Sequence, residues 1–210
     1  MTFTFFLAIM EKRNEINLVP DQFHGTQMDV IEMREFNDEQ EAVTSFRKFA
    51  ERLLDVNNWG KYGGISAFQL INEDGVRAER LAVKDDFIRI DIPGPGTQVG
   101  MGYDWVLIEE ITKSSINDNQ ILAMRVRPCA HPLSQKSEIA HFLKSEATST
   151  FMIRQVGKCV YAQEHGRNEM PNTQDGTLYD KGRNFMVGMA AKIGLSYPQW
   201  KSLVKGLLKD

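Results

Sequence analysis

Apolar and polar residues alternate most cleanly in FIRIDI, where Ile88, Ile90 and Ile92 fall on one side and Phe87, Arg89 and Asp91 on the other. Successive strand side chains point to opposite faces, so this run predicts a strand packed on one side and wet on the other. PGPG stops it. Other β-forming runs lie around it: DVIEMREF (29–36), AFQLI before the turn NEDG, YDWVLIEEIT and ILAMRVRP joined by the polar KSSINDN, then TSTFMIRQV and CVYAQEHGR. The last two flank Gly157-Lys158, which suits a two-residue type II′ hairpin turn because glycine supplies the positive φ of its first position.

Helical spacing appears in two regions. Val43, Phe46, Ala50, Leu53 and Leu54 recur at three- and four-residue steps and predict a helix over 38–55, with Asn37 or Asp38 as its cap and Glu39 and Glu41 at its positive end. VNNWGKYGG closes that helix, and Trp59 and Tyr62 supply bulk to pack under the turn. Near the C-terminus, Phe185, Met186, Met189, Ala190 and Ile193 form an apolar stripe, Gly194 fits a left-handed residue past a helix end, and Ser196 with Gln199 reads as a capping box. Trp200, Leu203, Val204, Leu207 and Leu208 then repeat the spacing of a helix laid on a core. A helical turn is expected within Pro132–Lys144.

Strands followed by helices predict an α+β fold: a curved antiparallel sheet packed against C-terminal helices, as one domain over residues 29–210 after an N-terminal extension of residues 1–28. From Asp29 to Leu208 this order resembles the helix-grip fold of the START and polyketide-cyclase-like superfamily. That resemblance implies a sheet wrapped around a C-terminal helix, with an apolar cavity between them. FIRIDIPGPG, YDWVLIEEI and HGRNEMPN also look like stretches of conserved bacterial proteins, a likeness that brings no function with it.

Composition narrows the partners. A chain of 210 residues, 42% hydrophobic and 25% charged, has enough apolar surface for a packed core. Its net charge of −3 supplies no positive field, so no nucleic-acid partner is expected. Cys129 and Cys159 cannot build a disulfide framework and are expected to be reduced, small apolar residues. MTFTFFLAIM is apolar but shorter than the roughly 20 residues that span a bilayer, and it lacks a basic flank and a cleavage site. It is read as a strand, an extension, or a start upstream of Met10; no membrane span and a cytoplasmic location are the expectations.

The densest polar cluster is HGRNEMPN, at a strand exit where binding residues tend to sit. His165 can exchange a proton near neutral pH, Arg167 can grip a carboxylate or phosphate, and Glu169 can orient either. Asn168, Arg183 and Trp105 complete the candidate ligand-binding set. PGPGTQVGMG leads into a strand, not into the helix a phosphate loop requires. The four histidines have no metal-binding spacing, and neither cysteine has a nearby base, so neither a metal nor a cofactor is expected. Three functions follow. The first is binding of a small hydrophobic or amphipathic ligand in a cavity between sheet and C-terminal helix; the others are general acid–base catalysis on a hydrophobic substrate through His165 or Glu169, and a regulatory or scaffolding role of the surface.

Overall fold

The structure, a computed structural model, describes residues 18–63, 66–94, 96–116, 119–192 and 197–210. Seven strands are formed, β1 Thr26–Glu35, β2 Ala67–Ile71, β3 Phe87–Asp91, β4 Asp104–Ile116, β5 Asn119–Pro128, β6 Thr148–Val156 and β7 Cys159–Glu169. They make one curved antiparallel sheet in the order β1-β7-β6-β5-β4-β3-β2. Strands β2 to β7 run as neighbours in sequence, and β7 pairs with β1 at the far edge. In the β6–β7 hairpin Val156 pairs with Cys159 across a turn where Gly157 takes φ 54° and Lys158 does not take positive φ, as a type II′ turn requires.

Alternation sorts the side chains. Val30, Leu70, Ile88, Ile108, Met124, Phe151, Ile153 and Val160 are buried on the inner face. The outer face carries two smaller clusters, one around Ile71 and Trp105 and one in which Leu18 and Val19 cover Ile121, Ala123 and Met152.

Helix α1, Glu39–Leu54, follows β1. Asp38 caps it by accepting the Glu41 N–H at 2.8 Å, and Glu41 reaches back to the Asn37 N–H. Its buried side is Ala42, Phe46, Phe49 and Leu53. A 3₁₀ turn, Val56–Asn58, runs into the single-turn α2, Trp59–Tyr62, which drives Trp59 into the core with its indole N–H on the Leu53 carbonyl.

Two helices finish the chain, α3 Leu178–Lys192 and α4 Tyr197–Leu207. Helix α4 closes the inner face as expected, burying Leu203, Val204 and Leu207. It approaches α2 so closely that a Cβ on Gly206 would lie 1.8 Å from the Tyr62 carbonyl oxygen, and one on Gly63 would lie 2.3 Å from that of Ser202. Two arginines hold its C-terminal end, where unpaired carbonyls carry negative charge. Arg52 donates to the Leu207 carbonyl and Arg34 to that of Leu208, each at 3.1 Å.

Helix α3 departs from the expected stripe. Phe185 is 51% and Met186 69% exposed, while Asp180, Arg183 and Asn184 are buried. The physical reason is that α3 covers the buried Asp104 carboxylate and a set of backbone carbonyls, and a buried charge left unpaired costs more than an apolar residue left wet. The side chains of Met189 and Ala190, and residues 193–196 with Gly194 and Ser196, lie outside the described residues.

The Pro132–Lys144 segment also differs, for it holds no helix. It spends its backbone bonds on neighbours: the Trp105 N–H donates to Ala140, Ala140 to Cys129, and Lys144 to Met170.

Leu203→Ala is expected to cost about 2–5 kcal/mol in urea denaturation. Phe185→Ala should stay within about 0.5 kcal/mol. Equal losses would mean that α3 carries as much of the core as α4.

Candidate functional site

The inner face is not filled to its end. Where β3 to β6 run out beneath α4, a cavity of about 190 Å³ remains. Ile88 and Ile90 of β3, Val106 of β4 and Val126 of β5 line its floor, while Trp59, Phe68, Phe151 and Trp200 form an aromatic wall. Those rings meet edge-on or tilted, with Trp59 and Phe151 centroids 4.9 Å apart and Phe151 and Trp200 5.3 Å apart. Polar groups on the lining are few: Ser66, Ser149, Gln199, His141 and Glu169 are among them.

Glu169 reaches the cavity through a defect in β7. In an unbroken strand residues 165, 167 and 169 would share one face. Thr26 pairs with Glu169 and Met28 with Gly166, so two steps on β1 oppose three on β7 and one residue is extra. Such a bulge re-aims the side chain beyond it. Asn168, at φ 56°, occupies the bulge, and the segment before β1 holds it there. Its Oδ1 accepts from Phe23 N–H at 2.8 Å and His24 N–H at 3.3 Å, and its Nδ2 donates to the Asp21 carbonyl at 3.0 Å. Gly25 passes so near that a Cβ would sit 2.4 Å from the Glu169 carbonyl oxygen.

Burial dominates the electrostatics. It raises the Glu169 carboxyl above its ordinary range, against a weak bond from the Thr26 hydroxyl at 3.5 Å and the field of Arg167. Glu164, also on the inner face and fully buried, is pushed up well beyond that by burial and by the charge of Glu169. The Ser149 hydroxyl beside it offsets a part, yet neither Glu164 oxygen reaches a well-oriented hydrogen bond among the described residues. Burial also lowers His141 to about 4, with Asp104 opposing and Arg183 adding to the shift. Its Nδ1 accepts the Leu143 N–H at 3.0 Å, which places the proton of the neutral ring on Nε2.

At the cavity's end stands a buried polar network. Arg183 grips Asp104 through Nη1 and Nη2, at 3.0 and 2.5 Å, and Asp104 also accepts the Phe142 N–H. Asn184 and Asn172 both donate to the His141 carbonyl at 3.3 Å, so α3 and the segment after β7 together fix His141 and Phe142 in the wall.

The six candidate residues therefore separate. Only Glu169 lines the cavity. His165 and Arg167 lie on the outer face, both bonded to Asp29, at 2.5 and 2.7 Å. Burial pushes the Asp29 carboxyl up, and those two bonds outweigh it and hold it below its usual value. Asn168 is the bulge staple, and Arg183 is committed to Asp104. Trp105 is buried on the outer face, its indole N–H on the Gly100 carbonyl and its ring edge-on to His131. Sequence reasoning missed Ser66, Glu164 and His141 as a group, since alternation marks a face but not which faces meet. Cys129 and Cys159 are both free and partly exposed, and burial pushes the Cys129 thiol up to about 12, too high for a nucleophile. Among the described residues no three His, Cys, Asp or Glu converge on a metal position, and no helix is long and apolar enough to cross a membrane.

No protein-family model and no curated protein matches the sequence. Among solved structures, norcoclaurine synthase from Thalictrum flavum shares 8% identity, covers 90% of this chain and 96% of its own, and has a TM-score of 0.40. The major latex-like protein 151 of Panax ginseng shares 10% over 80% of this chain and 96% of its own, at 0.33. A START superfamily protein of Mycobacterium smegmatis shares 8% over 80% and 97%, at 0.31. Likeness this low carries no activity across. The helix-grip architecture rests on the strand order β1-β7-β6-β5-β4-β3-β2 and on α4 lying across the inner face.

Arg183→Met should cost about 3–5 kcal/mol, because it leaves the Asp104 carboxylate buried without its ion partner. Thermal or urea unfolding checks this, and a loss near zero would show Asp104 reaching water. His141 also sets an acid limb. The unfolded ring takes a proton below about 6.5, and the native ring resists until about 4. Its contribution is therefore full above the first value and is lost as pH falls toward the second, by about 3 kcal/mol. His141→Asn, which keeps an acceptor near the Nδ1 position, should flatten that part of the stability–pH curve.

Proposed function

We propose that the protein binds a small amphipathic molecule in the cavity beneath α4, with its apolar part against Phe68, Ile90 and Phe151 and its polar end at Glu169. The observation that carries this reading is the cavity itself, about 190 Å³ of apolar space bordered by one re-aimed carboxyl. Most of its lining is apolar, so a bound hydrocarbon makes contacts with Phe68, Ile90 and Phe151 that water in the same space does not. Binding sites of this kind are mostly apolar with a few placed polar groups.

A catalytic reading keeps less support. His165 and Glu169 lie on opposite faces of β7, so they do not act on one substrate atom as an acid–base pair. Glu169 alone retains the raised proton affinity that such a role asks for.

The test uses two tryptophans already in the wall. Titration with 1-octanol should shift the emission of Trp59 and Trp200, and native mass spectrometry of freshly purified protein should show a co-purifying small molecule. Ile90→Phe, which fills the floor, should weaken octanol binding by about tenfold or more, or about 1.4 kcal/mol, while cooperative melting persists. Unchanged emission together with a bare-chain mass would overturn the reading.

A further inference from the structure

The charge around the cavity has one sign. Glu169 lines it, and its only side-chain bond among the described residues is the 3.5 Å contact from Thr26. Directly behind, across Gly166, Glu164 is 0% exposed, and beyond the adjacent Ser149 hydroxyl neither of its oxygens has a well-oriented partner among the described residues. Bringing the two carboxyls into one low-dielectric region is costly unless a donor or a positive charge joins them.

Among the described residues no cation bonds either carboxyl, and the positive charge of Arg167 acts on both only from the outer face. His141, the basic residue of the wall, is buried and holds a neutral ring. Arg183, the nearby guanidinium, is committed to Asp104, and Arg167 points to the outer face and Asp29. A second feature marks a polar contact for a ligand: Ser66 lines the cavity at 3% exposure, and its hydroxyl has no partner among the described residues, which leaves an oxygen able to accept from an ammonium and an O–H able to donate. The aromatic wall is a third. Arg34, Arg52, Arg89 and Lys201 each lie over a ring elsewhere, on Phe36, Phe49, Tyr62, Tyr103 or Tyr197, and none of these rings belongs to the wall of Trp59, Phe68, Phe151 and Trp200. The negative faces of such rings favour a cation.

We infer that the cavity selects a small apolar amine, its ammonium donating to Glu169 and its hydrocarbon lying against the aromatic wall. This rests on the cavity-binding reading and adds the charge of the ligand to it. An ammonium brings donors for the Glu169 and Ser66 oxygens and a charge opposite to that of the Glu169 carboxylate on the lining. An anionic lipid of the same length meets Glu169 with like charge and is excluded.

A matched series decides the question: octylamine, 1-octanol and octanoate, each titrated at pH 7 against the tryptophan emission of the full chain. Octylamine should bind at least about tenfold tighter than octanol, as a buried charge-assisted hydrogen bond implies, and octanoate should bind more weakly than octanol. Glu169→Gln should abolish the preference for octylamine over octanol. Octanol binding equal to or tighter than octylamine, or a preference for octanoate, overturns the amine assignment and leaves the cavity reading standing. Failure of all three overturns both. The series on the unaltered chain is decisive even where the Glu169→Gln chain does not fold.

Discussion

One extra residue in β7, held at a positive φ by the Asn168 side chain, decides which way the polar end of the molecule faces. A non-glycine residue in the left-handed region carries strain, and asparagine is among the side chains that tolerate it best. Here the strain is offset by bonds from Asn168 to the backbone of Asp21, Phe23 and His24. Those bonds tie the entry of β1 to the exit of β7, so the register of the sheet's far edge and the direction of Glu169 are set by one arrangement. The close pass of Gly25 over the Glu169 carbonyl shows how little room that arrangement leaves.

At the other end of the cavity, polar satisfaction takes precedence over apolar burial. Helix α3 would bury more apolar surface if rolled to put Phe185 and Met186 inward. That roll would carry Arg183 away from Asp104 and Asn184 away from the His141 carbonyl. An unpaired buried ion costs several kcal/mol, and the roll would also strip Arg183 and Asn184 of their buried partners, so the helix settles with its charged side down. The consequence for the site is direct, because the same network fixes His141 and Phe142 as part of the cavity wall.

The two ends complement each other electrically. The network end cancels its own charge within the Asp104–Arg183 pair. The bulge end does not, since Glu164 and Glu169 stand together without a cation bonded to either among the described residues. Local charge balance of this kind tells more about a ligand than the net charge of the whole chain.

Local pattern was enough for the elements and for their class. Strict alternation in FIRIDI, the glycine of the β6–β7 turn, the Asp38 cap and the Leu203, Val204 and Leu207 spacing are short-range signals, and each element formed where its residues favoured it. The site was not legible in the same way. His165, Arg167 and Glu169 are neighbours in sequence, yet a single inserted residue put the third on the other face. Phe185 and Met186 have the spacing of a core stripe, yet Asp104, 79 positions before the Arg183 it pairs with, turned them outward. By itself the sequence determined where the strands and the longer helices run and that they layer as α+β, because propensity, capping and periodicity act within a few residues. Only the tertiary structure decided which carboxyl lines the cavity, which arginine is already paired and which face of α3 is wet, because those outcomes depend on desolvation and pairing between segments that meet only once the chain has folded.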